Sequence, residues 1–295
     1  MKRNVILVII VVLLLLCQAS FLRAIAQEAV HFPSYWDNGA DQPATTLDGY
    51  LFRPTGAGPH PAIVGLHGCS GMAQRSTGAM LPIYSAWGTE FARLGYVFLL
   101  VDSLRPRRHG EMCSVGGLDL EIYRRRPNDA YGALWFLQAQ PDVRRDRIGV
   151  AGWSQGGATI LNAIGRQSPL RPANPPPNDF RAAVAFYPGA CNAQRQSSAW
   201  TTSIPILALL GAADVWTPMP PCKEFLDAAA ARGTPVEVVV YPGAYHSFDA
   251  PNLPQRELPD YRTRAGVVPI VGTDPAARAD ALQRVPAFFA RYLSN

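Results

Sequence analysis

The chain has 295 residues, 48% of them hydrophobic, and a formal charge of +5 at neutral pH, enough apolar material for one large buried core. Setting aside a leader that carries Lys2, Arg3 and Arg23 leaves about +2, too little for a nucleic-acid footprint. No basic helix and no zinc-ligand spacing is present, so neither a metal nor an organic cofactor is expected.

Lys2 and Arg3 precede an unbroken apolar run from Val5 to Leu16, and Ala24-Ile25-Ala26 offers a small-residue cleavage site before Gln27. The run is shorter than the ~20 residues that span a bilayer, so residues 1–26 read as an export signal rather than an anchor. Cys17 follows Leu16, which is too large for the position before a lipidated cysteine, and this leaves a lipid anchor as the minor alternative. Residues 27–295 then form one domain, periplasmic or secreted, with no stable membrane partner. Its four cysteines, Cys69, Cys113, Cys191 and Cys222, are an even number, which in an oxidising compartment favours disulfides in one of three pairings.

From Leu47 the chain reads as alternating strands and helices. Strands are predicted at 47–52 and 61–66, then a helix over about 81–94 that Gly95 stops. The continuous apolar run 96–101 has the pattern of a parallel strand covered on both faces. A helix over about 128–140 leads into a strand at 148–151 and a helix at 158–164. A proline-rich surface loop covers 167–179. Strands follow at 182–187, 204–210 and 236–241, with a helix over about 221–232 between the last two. A terminal helix starts with Asp274 as N-cap and Pro275 at its first position. Repeated βα units imply a mostly parallel, doubly wound sheet with helices on both faces, and functional loops at the carboxyl ends of the strands.

The strand at 148–151 runs into Gly152-Trp153-Ser154-Gln155-Gly156-Gly157 and then a helix. Strand, Gly-x-Ser-x-Gly, helix is the context of a nucleophile elbow, which strains the serine backbone and leaves no room for side chains at 152 and 156. A serine hydroxyl needs a histidine to take its proton and a carboxylate to fix that histidine's tautomer. His246 is the one histidine after Ser154, five residues past the last strand. Asp214 follows the preceding strand in Gly211-Ala212-Ala213-Asp214, where a strand end and a turn bring a carboxylate within reach. Asp249 stands too near His246 in sequence to orient it, and Asp102 reads as structural. Two N–H donors are needed for an oxyanion. Gln155 supplies one, and the loop after Leu66 supplies the other, from Cys69, with His67 shaping that loop.

Taken together, His67-Gly68-Cys69-Ser70-Gly71, the elbow, the Asp214 turn and Tyr241-Pro242-Gly243-Ala244-Tyr245-His246-Ser247-Phe248 resemble the dienelactone hydrolase family of α/β-hydrolases, over roughly residues 45–293. The resemblance implies the α/β-hydrolase fold, a Ser154–Asp214–His246 triad and ester hydrolysis. Two departures stand out. The family's namesake enzymes use a cysteine nucleophile, and they carry an arginine four residues past the histidine, where this chain has Ala250. In this fold the strands before Cys69 and Cys113 are neighbours, as are those before Cys191 and Cys222, which implies the disulfides Cys69–Cys113 and Cys191–Cys222.

The long segment 103–126 carries Arg105, Arg107, Arg108, Arg124, Arg125 and Arg126, mostly a solvated basic surface, with Arg105 the candidate for an anionic substrate group. Trp153, Trp216 and Phe248 flank the triad and are candidates for lining an acyl pocket. The expected activity is cleavage of small carboxylic esters by an exported serine esterase. A polyester or lipid hydrolase of the same fold, and a non-catalytic binding protein on this scaffold, are the alternatives. The oligomeric state stays open.

Overall fold

The computed structural model describes residues 27–35 and 44–294, so the expected leader lies outside the described residues. Eight strands form one sheet in the order β1-β2-β4-β3-β5-β6-β7-β8. These are β1 Gln27–Pro33, β2 Thr46–Phe52, β3 His60–Leu66, β4 Val97–Asp102, β5 Val143–Trp153, β6 Ala183–Phe186, β7 Ile206–Gly211 and β8 Val236–Tyr241. The pairs β1/β2 and β2/β4 are antiparallel, and all later neighbours are parallel. This is the mostly parallel sheet of an α/β-hydrolase fold in a single domain.

Both faces of the sheet are covered, which explains why β4, β6 and β7 are buried at every residue and read as unbroken apolar runs. Alternate side chains supply two cores. Val64, Leu99 and Val101 point to the face packed by the helices α2 (Leu120–Gln138), α3 (Gln155–Ile164) and α4 (Met219–Ala231). Ile63, Phe98 and Leu100 point to the face packed by α1 (Pro82–Arg93) and α5 (Pro275–Leu293). Asp274 caps α5 by accepting hydrogen bonds from the N–H groups of Ala276 and Ala277. Among the described residues, no helix is long and apolar enough to cross a membrane.

Three elements differ from the sequence expectation. Strand β1 is an edge strand with one buried residue, Phe32, so it carries no alternating pattern to read. Helix α2 begins at Leu120, not near 128: Asp119 caps it, and the helix runs on through Pro127. A proline inside a helix removes a donor and signals a break, but burial of Ile122, Arg126 and Ala130 along one side carries the helix through it. The consequence is that Arg124, Arg125 and Arg126 stand on a helix and not in a loop. Finally, a two-stranded ribbon, β9 (Arg256–Glu257) with β10 (Ile270–Val271), forms between β8 and α5 and lies against the His246 segment.

Candidate active site

The elbow between β5 and α3 is built by exclusion. A Cβ at Gly152 would lie 2.5 Å from the Gly156 carbonyl oxygen, and one at Gly156 would lie 2.0 Å from the Leu66 carbonyl oxygen. Only glycine at both positions lets the turn close against β3. Ser154 sits at the apex with φ 55° and ψ −112°, a conformation that L-residues rarely adopt. Hydrogen bonds over-determine it: the Ser154 N–H donates to the Phe186 carbonyl (2.9 Å), and its carbonyl accepts from Gly189 (2.9 Å) and Ala158 (3.1 Å).

Asp214 and His246 are brought together from the ends of β7 and β8. The His246 Nδ1–H donates to Asp214 Oδ2 at 2.7 Å, because a carboxylate can only accept. That leaves Nε2 unprotonated as the basic nitrogen. The Asp214 carboxylate also accepts from the Trp216 N–H (2.8 Å), the Thr217 N–H (3.0 Å) and the Thr217 hydroxyl (2.7 Å). Burial works against its charge, but attraction to His246 when that ring is protonated, and the hydrogen bonds from His246 and Thr217, outweigh burial and hold its pKa below the ordinary value. Two tilted aromatic rings pack against the imidazole, Tyr187 at 4.4 Å and Trp216 at 4.8 Å between ring centroids. Thr217 and Tyr187 carry no motif that sequence reading could use.

Ser154 and His246 line one cleft of about 540 Å³, together with Cys69, Tyr84, Trp153, Tyr187 and Trp216. Its outer wall comes from Leu253, Leu258, Tyr261 and Val271, around the β9–β10 ribbon. The loop after β3 runs beside the serine: a Cβ on Gly68 would lie 3.5 Å from that of Ser154. The Gly68 N–H donates to the Tyr84 hydroxyl (2.8 Å). Among the described residues, no acceptor takes the N–H of Cys69 or of Gln155. The Cys69 loop is braced by the Cys69–Cys113 disulfide and by the Met112 N–H donating to the Cys69 carbonyl (2.7 Å). The second disulfide joins Cys191 to Cys222.

His67 points away from the cleft and is fully buried. Its Nδ1–H donates to the Gly68 carbonyl (2.6 Å) and its Nε2 accepts from the Ser103 N–H (3.1 Å). Burial, aided by the Arg126 charge, lowers its pKa to about 3, so the ring is neutral. Asp249, also buried, accepts from Trp87 Nε1 (2.8 Å), Trp153 Nε1 (2.8 Å) and the Tyr187 hydroxyl (2.7 Å), and burial pushes its pKa up.

The proposed substrate contacts divide. Trp216 and Trp153 line the cleft, the latter with its indole N–H already committed to Asp249. Phe248 does not: it is buried between Tyr187 (5.2 Å) and Tyr241 (5.0 Å) as a core residue. Arg105 is paired with Asp102 and does not line the cleft of Ser154; it borders an adjoining hollow that shares Ser70 and Arg75 with that cleft. Arg107 is held by both oxygens of Asp129 (2.7 and 2.9 Å), and Arg126 is fully buried, so neither belongs to a solvated basic surface. The arginines that border the cleft are Arg75 and Arg256, which sequence reading passed over because they lie in unpatterned loops.

Comparison with known proteins agrees with this fold. A Bradyrhizobium sp. protein described as a probable 2-oxo-3-(5-oxofuran-2-ylidene)propanoate lactonase is 24% identical over 212 residues, covering 68% of this chain and 77% of its own. A putative dienelactone hydrolase from Klebsiella pneumoniae superposes with a TM-score of 0.61 at 21% identity, over 90% of this chain and all of its own. Thermogutta terrifontis esterase 2, phosphorylated by paraoxon, does so with a TM-score of 0.60 at 18% identity, over 90% of this chain and 94% of its own. The family model for the dienelactone hydrolase family matches residues 47–293, and the chain belongs to that family.

Proposed function

We propose that this protein is an exported serine hydrolase that cleaves small carboxylic esters through an acyl-enzyme. The observation that carries the reading is Ser154, held at φ 55° on the elbow, in the same cleft as a histidine whose Nδ1 is tied to a buried carboxylate. Ser154 Oγ attacks the ester carbonyl while His246 Nε2 takes its proton. Asp214 keeps the proton on Nδ1 and stabilises the imidazolium. The free N–H groups of Cys69 and Gln155 donate hydrogen bonds to the carbonyl oxygen and stabilise the negative charge that develops on it. The imidazolium then protonates the departing alcohol, and a water activated by His246 hydrolyses the acyl-serine.

A cleft of about 540 Å³ suits a small or medium ester rather than a polymer chain. A lactone, the substrate in the name of the Bradyrhizobium relative, is an internal ester and would follow the same steps. Two disulfides favour an oxidising compartment, in keeping with an export signal at 1–26. Labelling with a fluorophosphonate probe tests the reading: the wild-type protein should be modified at Ser154 and should hydrolyse short-chain aryl esters. Strong labelling of a Ser154→Ala variant would overturn it.

A further inference from the structure

Arg126 is a buried cation with no carboxylate in contact among the described residues. Burial works against its charge, and Asp129 offsets this only by attraction through space. Asp129, one turn along α2, is taken by the Arg107 guanidinium and by the Ser34 hydroxyl (2.7 Å). The Arg126 fork instead reaches two neutral acceptors: Nη1 donates to Gln155 Oε1 (2.6 Å) and Nη2 to the His67 carbonyl (2.5 Å), while Nε has no partner. His67 is neutral, so it adds no second positive charge beside Arg126. Burying an unpaired cation is costly, and an apolar side chain of the same length would fill the space without that cost. A packing role alone therefore does not explain arginine here.

What the fork holds does explain it. Gln155 owns one of the two free N–H groups beside Ser154. His67 heads the short loop that presents the other, on Cys69. The start of α3 and the loop after β3 follow the ends of different strands, β5 and β3, and Arg126 bridges them. We propose that Arg126 is a positioning residue for the oxyanion hole: it ties the Gln155 and Cys69 donors into one register and adds its positive charge to the field there. The charge is felt around the site, since it opposes protonation of His67 and acts against the upward push of burial on the Tyr84 phenol, which lines the cleft. Lysine would keep the charge but could not span both acceptors as the planar fork does. The proposal rests on the reading of Ser154 as the nucleophile.

Arg126→Met and Arg126→Lys test it on the full-length protein. The readouts are kcat and KM for p-nitrophenyl acetate, the second-order rate of Ser154 phosphonylation by a fluorophosphonate, and the melting temperature. Arg126→Met should lower kcat on the order of 10- to 100-fold, at or below the cost of losing one oxyanion donor outright, with KM within about twofold. Phosphonylation should slow in parallel, because its transition state also places charge on an oxygen in the same hole. Arg126→Lys should recover part of the loss. If Arg126→Met does not fold, Gln155→Met severs one tie while leaving the cation in place, and should lower kcat several-fold with KM unchanged. A Met variant that melts lower but keeps wild-type kcat and phosphonylation rate, or a Gln155→Met variant indistinguishable from wild type, would overturn the proposal. Wild-type protein that is phosphonylated at Ser154 yet hydrolyses no ester would overturn the esterase reading alone, because the phosphonylation rates still rank the variants.

Discussion

In the proposed mechanism Ser154 and His246 act as a unit, so either alanine variant removes most of what the pair contributes. Ser154→Ala and His246→Ala should each reduce ester turnover by on the order of 10⁴ or more. Asp214→Asn should cost less, since Thr217 and the backbone still hold the segment, and a kcat loss equal to that of His246→Ala would argue against an orienting role. Arg105 shows how a residue at a plausible position can be spoken for. With its guanidinium on Asp102, Arg105→Ala should change KM for neutral and carboxylate-bearing esters by the same small factor. A selective rise for the anionic ester would return it to the substrate site. Arg105 and Arg126 lie 21 positions apart in one arginine-rich stretch, and nothing local distinguishes the one that faces solvent from the one that is buried. The difference comes from the helix that carries Arg126 inward.

Each disulfide closes a loop of a few tens of residues, for which chain-entropy arguments suggest about 3–4 kcal/mol. Their positions separate their effects on catalysis. Cys69–Cys113 braces the loop that presents a free N–H beside Ser154, whereas Cys191–Cys222 ties the loop after β6 to the start of α4. Cys69→Ser with Cys113→Ser should therefore lower both melting temperature and kcat. Cys191→Ser with Cys222→Ser should lower melting temperature with a smaller effect on kcat. Equal kcat losses from the two double variants would show that the Cys69 loop is held by its hydrogen bonds and not by the bridge. At this scale the βα alternation was readable because buried parallel strands are continuous apolar runs. Strand β1 and the β9–β10 ribbon were not, because these edge and surface strands each bury at most one residue.

For the whole molecule, His67 and Asp214 both favour neutral over acidic pH. The neutral His67 ring is required by its two hydrogen bonds, and its folded pKa of about 3 lies below the unfolded value of about 6.5. The unfolded chain therefore binds a proton that the folded one refuses. Its contribution is present in full above about pH 6.5 and drains as pH falls toward 3, by at most about 1.4 kcal/mol per pH unit. Asp214 has the same sign: its folded pKa is depressed, so its contribution persists above the ordinary aspartate range and is lost as pH falls through the folded value. Urea unfolding between pH 7 and 4 should show stability falling with acid, and His67→Asn should be less stable at pH 7 but fall less steeply. Parallel slopes for the two proteins would rule out His67 as a source of the acid sensitivity.

Residue spacing and order alone picked out the Ser154 elbow, the Asp214 and His246 that the structure pairs, and the loop beside them. Those features depend on local backbone geometry and on chain order, both of which are written in sequence. Gly152 and Gly156 are legible because any side chain there would strike backbone, wherever the rest of the chain goes. Only the tertiary structure decided which polar groups meet. Asp249, too near His246 in sequence to orient it, is the shared acceptor of Trp87, Trp153 and Tyr187, residues between 62 and 162 positions away. Phe248 packs inward and Arg75 and Arg256 border the cleft for the same reason. A side chain's partner is set by the packing of elements distant in sequence, and no window along the chain contains both members of the pair.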